Sequence, residues 1–236
     1  MLNIYPILCR ANYMDNYAYI VIDKQSEICA IIDPSEAAPI IHKCEELSIC
    51  PQFILNTHHH FDHVEGNLEI AKKYNAKIAC NQADIHRIKG AEIPLTPGKS
   101  FYLGESETLI IDVSAHTIGH ILYYFPKDKV LFTGDTLFNL CIGGLFEGTS
   151  EQMFAALQKI KSLPEDTVFY PGHEYTQGGA MFAYTYNQGN DAIQNYLTKA
   201  RTKIEQSLPV APITLKEEKQ CNPYLIASTL EEFKSL

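Results

Sequence analysis

Apolar positions fall in short runs separated by polar or turn-forming residues, and the period of the runs changes along the chain. Residues 4–8 form one run and predict a strand. Residues 17–23 and 28–33 form two more, split by Lys24-Gln25-Ser26-Glu27 in a hairpin pattern. Over residues 35–47 the spacing becomes helical, with Ile40, Ile41, Cys44 and Leu47 on one face. Residues 51–56 predict a short buried strand ending in a loop, residues 67–74 a helix and residues 77–80 a strand. Residues 90–100, rich in Gly and Pro, predict a loop. Residues 108–113, 121–125 and 129–132 are β-rich runs with tight connections, which predicts antiparallel pairing. Thr149-Ser150-Glu151-Gln152 carries the capping-box pattern and opens a helix to 161. Residues 167–170 predict a last strand.

The pattern changes after residue 175. Residues 175–187 and 191–206 read as helices, and no strand pattern returns. In the second helix Ile193, Leu197, Ala200 and Ile204 form an apolar stripe expected to pack onto the preceding domain. The expected organisation is therefore an α/β domain over residues 1–174 and a small all-helical domain over residues 175–236.

Composition narrows the class. Apolar residues make up 46% of the 236 and charged residues 20%, enough apolar content for a packed core. Nineteen basic against 28 acidic side chains give a net charge of −9, which disfavours nonspecific attraction to nucleic acid. The seven cysteines include no C-x-x-C pair and read as buried thiols of a reducing compartment. No apolar run approaches a membrane span. The first residues are too few and too soon polar for a signal peptide, so a cytoplasmic protein is expected.

The chemistry concentrates in Thr57-His58-His59-His60-Phe61-Asp62-His63, four imidazoles and a carboxylate in seven residues. Clustered imidazoles repel when protonated and need partners when buried; a divalent cation resolves both problems. Further strand ends carry Asp33, His116, Asp135 and His173. Histidines 58, 60, 63, 116 and 173 with aspartates 62 and 135 make seven candidate ligands, more than the four that close a structural zinc site. Two metals sharing one carboxylate fit that number and favour hydrolysis. Gly98-Lys99-Ser100 resembles the tail of a phosphate loop, but the upstream glycine is not at the required spacing.

Thr57 to His63 matches the T-H-x-H-x-D-H signature of the metallo-β-lactamase superfamily. Asp15-Asn16-Tyr17, Val64-Glu65-Gly66-Asn67, His116-Thr117-Ile118-Gly119-His120, Gly134-Asp135-Thr136, Phe146-Glu147-Gly148-Thr149, Gly172-His173-Glu174-Tyr175 and Asn222-Pro223-Tyr224-Leu225 resemble the glyoxalase II (hydroxyacylglutathione hydrolase) family within it. The resemblance implies an αββα sandwich followed by a small C-terminal helical domain that completes the substrate pocket. It implies one metal on His58, His60 and His116, a second on Asp62, His63 and His173, and Asp135 bridging; zinc is the expected metal, with iron and manganese as alternatives. It further implies that Asp62 orients a metal-bound hydroxide that hydrolyses S-lactoylglutathione, and that Tyr175, Phe146 and Gly144 line the substrate site. His59, at the variable position of the signature, is expected outside the ligand set.

The chain departs from the family where glutathione is gripped. Gly144 stands for a basic residue, Phe146 for a tyrosine and Ile226 for an arginine, leaving Lys234 as a substitute cation. These changes open the alternative of a different thioester or a lactone as substrate. A single-iron sulfur dioxygenase, a nuclease and a non-catalytic metal module are weaker readings. The expected partner is a small-molecule thioester, with no nucleic acid, no membrane and a monomeric chain.

Overall fold

Stretches rich in β-branched and aromatic residues give β1 (Leu2–Cys9) and β2 (Asn16–Asp23), which pair antiparallel from Leu2↔Asp23 to Cys9↔Asn16. The computed structural model describes residues 1–206 and 208–236, and its contacts divide into two units that interleave in sequence. Met1–Asp112 and Gly119–Asp128 form the first; Val113–Ile118 and Lys129–Leu236 form the second.

In the first unit β3 (Cys29–Ile32) completes the expected hairpin with β2. The chain then passes through α1 (Ala37–Glu46) to β4 (Phe53–Leu55), and through α2 (Phe61–Val64) and α3 (Asn67–Tyr74) to β5 (Lys77–Asn81). Strands β3, β4 and β5 are parallel, as strand–helix–strand connections require. Ile20, Ile31, Ile54 and Ile78 pack against Ile40 and Ile70 of α1 and α3. The stretch expected as a loop contains β6 (Ala91–Leu95), parallel to β5. Pro94 is tolerated because β6 is the last strand of its sheet, where a missing N–H breaks no further ladder. Strands β7 (Ser100–Leu103), β8 (Ser106–Asp112) and β9 (Ile121–Phe125) form an antiparallel meander.

In the second unit β10 (Val130–Gly134) leads into the short hairpin β11 (Leu137–Phe138) and β12 (Cys141–Ile142). Helix α4 (Ser150–Lys161) carries the expected capping box between Thr149 and Gln152. Strand β13 (Val168–Pro171) pairs parallel with β10. Helices α5 (Thr176–Tyr186) and α6 (Asp191–Glu205) follow. A strand does return after them, because β14 (Ile213–Thr214) pairs with Val168 and Phe169 of β13. Helices α7 (Leu215–Cys221), α8 (Pro223–Ile226) and α9 (Leu230–Lys234) end the chain, each opened by a side-chain cap: Thr214, Asn222 and Thr229.

The buried face of α6 differs from the expected stripe. Ile193 and Tyr196 are buried in a cluster with Leu140, Ala180, Ala183 and Cys221, Leu197 packs against it and Ala200 is buried, whereas Ile204 is 54% exposed. Tyr196 can face inward because its hydroxyl reaches the Glu218 carboxylate. All seven cysteines are free; five are buried, Cys141 is half-buried and Cys50 is exposed. Among the described residues no helix is long and apolar enough to cross a membrane.

Candidate metal centre

In the first unit the histidine cluster begins just past β4. Asn56 shapes this segment: its Nδ2 donates to the His63 carbonyl (3.0 Å), and its own carbonyl accepts from the Tyr123 hydroxyl (2.8 Å). Gly66 lies so close to Pro34 that a Cβ would stand 2.7 Å from the Pro34 oxygen, so the turn after the cluster sits directly on the Asp33 loop. Asp33 thereby becomes the hub of the group. Its Oδ1 accepts from the Thr57 amide (2.8 Å), and its Oδ2 accepts from Thr57 Oγ1 (2.6 Å) and His63 Nδ1 (3.1 Å). Because Thr57 Oγ1 gives its proton to Asp33, it accepts from His58 Nδ1 at 3.0 Å. Both rings then carry their proton on Nδ1 and present an Nε2 lone pair, the form a metal requires. Donor atoms of Asp33, His58 and His63 lie within 4.8 Å of one another. The Nδ1 atoms of His58 and His63 are committed to hydrogen bonds with Thr57 and Asp33, so Asp33 and Thr57 orient the two rings.

His58, Asp62 and His63 are buried and His60 is half-buried. The His58 ring lies 4.7 Å from His60 and 4.3 Å from His63, centroid to centroid. Asp62 is fixed by Asn16, whose Nδ2 donates to Asp62 Oδ2 (2.9 Å) and to the Asp62 carbonyl (3.1 Å). Asp62 Oδ2 stands 3.5 Å from His63 Nε2. That is long for a hydrogen bond. Two donors roughly 2.1 Å from one tetrahedral ion lie about 3.4 Å apart. His59 turns elsewhere: its Nδ1 meets Asp84 Oδ2 (3.2 Å) and its Nε2 meets Arg87 Nη2 (2.6 Å). Gly119 leaves room for Asp84, since a Cβ there would lie 2.2 Å from its carboxyl carbon.

The second unit holds the other candidates together. Asp135 follows β10, and its Oδ2 lies 3.5 Å from His116 Nε2 and 3.3 Å from His173 Nε2. The same spacing therefore recurs at all three carboxylate–imidazole pairs. His116 Nδ1 donates to the Gly144 carbonyl (2.7 Å), which again leaves Nε2 as the lone-pair nitrogen. His173 is clasped by aromatic rings, stacked on Tyr175 (4.7 Å, 13°) and edge-on to Phe138 (5.6 Å, 89°). Neutral imidazoles and carboxylates at this spacing fit divalent ions.

The substrate candidates are also in the second unit. Phe146 is 72% exposed and meets the His116 ring edge-on at 5.1 Å. Tyr175 is 39% exposed beside a cavity of about 360 Å³ lined by Cys141, Glu174, Gly179 and Phe182. Lys234 does not stand ready as a substitute cation, because it pairs with Glu151 across α4 and α9. Ile226 is exposed.

Asn16 and His120 lie outside the ligand-type residues singled out above, whereas Asp33 was among them. Asn16 and Asp33 hydrogen-bond the candidate ligands Asp62 and His63. His120, fully buried, stacks on His58 (4.7 Å, 14°). The signal for each lay in the motifs Ile32-Asp33-Pro34, Asp15-Asn16-Tyr17 and His116-Thr117-Ile118-Gly119-His120.

Comparison with known proteins places this arrangement. Residues 17–173 match the metallo-β-lactamase superfamily model, and residues 174–234 match the model of the hydroxyacylglutathione hydrolase C-terminus. The chain is 42% identical over 222 residues to a hydroxyacylglutathione hydrolase of Pelagibacter ubique, covering 94% of this chain and 93% of that one. It is 38% identical to one of Rhodospirillum rubrum, covering 92% and 85%. The solved BLEG-1 B3 metallo-β-lactamase superimposes with a TM-score of 0.74 at 22% identity, covering 95% of this chain and all of that one. ETHE1 from Myxococcus xanthus superimposes with a TM-score of 0.73 at 20% identity, covering 98% and 88%. The expected αββα fold class with a helical C-terminal part stands, as does a divalent-metal hydrolase centre. This chain belongs to the metallo-β-lactamase superfamily and, within it, to the hydroxyacylglutathione hydrolase family.

Proposed function

We propose that the protein hydrolyses hydroxyacyl thioesters of glutathione, S-lactoylglutathione in particular, at a centre of two divalent ions, zinc by preference. One ion would rest on His58, His60 and His116, the other on Asp62, His63 and His173, with Asp135 serving both. The observation that carries this reading is Asp135 Oδ2, which stands 3.5 and 3.3 Å from the Nε2 atoms of two histidines allotted to different ions. The ions, when bound, lower the pKa of water and polarise the thioester carbonyl. The chain's residues do the rest. Asp62, anchored by Asn16, would orient the attacking water as hydroxide, the water's proton passing to solvent. The water oxygen bonds to the acyl carbon, the C–S bond breaks, and the thiolate leaves and is protonated. Phe146 and Tyr175 flank the histidines and confine the acyl group.

The proposal includes a catalytic domain over residues 1–174 and a substrate-binding helical domain over 175–236; the two family matches, which meet at 173 and 174, support it. It also includes a monomer that acts in the cytoplasm without nucleic acid, in keeping with the net charge of −9. The test is steady-state hydrolysis of the lactoyl thioesters of glutathione and of coenzyme A, with metal content measured on the same sample. Turnover of the glutathione thioester with close to two ions per chain is expected. No turnover, or no more than one ion after reconstitution, would overturn the reading.

A further inference from the structure

Glu218 is fully buried in the second unit, on α7, and among the described residues no cation pairs with it. Its Oε1 accepts from the Leu140 amide (2.6 Å) and from Asn222 Nδ2 (2.9 Å); its Oε2 accepts from the Tyr196 hydroxyl (3.3 Å). Burying a carboxyl is costly, and a plain packing role would be served by an apolar side chain. What the carboxyl grips is the turn between β11 and β12. Leu140 sits in that turn at φ +64°, a strained conformation for a branched residue. Asn222 reinforces the grip, its Nδ2 also donating to the Cys141 carbonyl (3.2 Å).

The gripped segment touches the metal-ligand candidates at both ends. Phe138, before the turn, lies edge-on to His173 and to Tyr175. Asn139 Nδ2 donates to Thr176 Oγ1 (2.9 Å), which donates to Glu174, the residue after His173. Gly144, after the hairpin, supplies the carbonyl that orients His116. Residues 137–144 are thus a brace between the two histidines, anchored at its turn by Glu218.

We propose that Glu218 is a positioning residue that clamps this hairpin and so fixes the orientation of His116, His173 and Tyr175. As a statement about catalysis, it rests on the proposed thioesterase reading; as a statement about the hairpin, it does not. Glu218→Gln keeps an oxygen acceptor for Leu140 and Asn222, whereas Glu218→Ala removes it.

The experiment is hydrogen exchange by mass spectrometry on the metal-loaded, full-length protein, alongside kinetics on S-lactoylglutathione. Glu218→Ala should speed exchange in residues 137–144 about tenfold, the scale set by the one hydrogen bond that the Leu140 amide makes to it, with exchange in α4 unchanged. kcat/KM should fall with it, and Glu218→Gln should restore both to within about twofold. If Glu218→Ala does not accumulate folded, Glu218→Asp, which withdraws the carboxyl by one methylene, takes its place. Unchanged exchange in residues 137–144, a rise shared equally by α4, or a Gln variant that behaves like Ala would each overturn the clamp. A wild-type protein inactive on S-lactoylglutathione would strike the functional reading and leave the exchange result to decide the clamp.

Discussion

Asp33→Asn is nearly isosteric, yet the structure predicts a large loss of metal affinity. The native carboxylate accepts three hydrogen bonds, from the Thr57 amide, Thr57 Oγ1 and His63 Nδ1, at 2.8, 2.6 and 3.1 Å. An amide offers one oxygen and one NH2 group. Whichever way it turns, a donor meets a donor. With the NH2 toward His63, the ring is driven to carry its proton on Nε2, the nitrogen needed for the ion. With the NH2 toward the Thr57 amide, that N–H is left buried and unpaired. The first outcome weakens the ligand, and changes to such supporting partners typically lower affinity 10- to 100-fold, about 1.4 to 2.7 kcal/mol. The second costs about 1–3 kcal/mol of stability. The assay is competition against a chromophoric chelator, with thermal unfolding of the metal-free protein measured in parallel. Affinity within about twofold of wild type, with an unchanged Tm, would refute the reasoning, because it would mean that Asp33 does not set the state of His63.

Other outcomes follow from the same geometry. Asp135→Ala should abolish activity far more completely than His59→Ala, since Asp135 stands beside two ligand histidines and His59 is engaged by Asp84 and Arg87; equal losses in kcat would show the ligand set misassigned. Gly144→Lys should lower KM for S-lactoylglutathione roughly three- to tenfold with kcat nearly unchanged, because a charge on the non-reacting carrier binds ground and transition states alike. Space exists for the side chain: a Cβ at Gly144 meets only Phe146 ring carbons, at 3.4 and 3.9 Å. Burial pushes the Glu218 carboxyl from 4.5 up to about 7, against hydrogen bonds from Asn222, Leu140 and Tyr196. The folded state therefore holds the proton that the unfolded chain releases, and stability present below pH 4.5 falls as pH rises to about 7, by up to about 3 kcal/mol. The groups facing Glu218 are Tyr196, Cys141, Cys221 and Glu217, none of which brings a positive charge to offset this. Glu218→Gln should flatten the dependence of Tm on pH between 5 and 8, and an unaltered slope would count against it.

The divalent-metal character of the site was legible because clustered imidazoles have few other uses, and the hairpin β2–β3 and the helix opened at Thr149 because period and cap agree there. What escaped was decided by tertiary context. β6 lies in a Gly- and Pro-rich stretch, and only the neighbouring β5 supplies the pairing that makes it a strand. Tyr196 took the inward place expected for Ile204 because Glu218, 22 residues further on, satisfies its hydroxyl. Asp33 reads locally as a strand-end turn residue, and its part in the site depends on Thr57 and His63, 24 and 30 residues away.

The buried thiols have a consequence for an enzyme that liberates a thiol at every turnover. Desolvation pushes Cys9, Cys80 and Cys221 up to about 12. Cys141, which lines the cavity beside Tyr175, is raised as far by desolvation, with Glu218 and Glu174 adding to it. Only thiolates attack disulfides, and at neutral pH such groups are ionised to roughly one part in 10⁵. Glutathione and its oxidised dimer would therefore find almost no thiolate to exchange with at these four positions. Cys141 is kept out of mixed-disulfide chemistry chiefly by its burial, and only secondarily by the acidic groups Glu218 and Glu174 beside it.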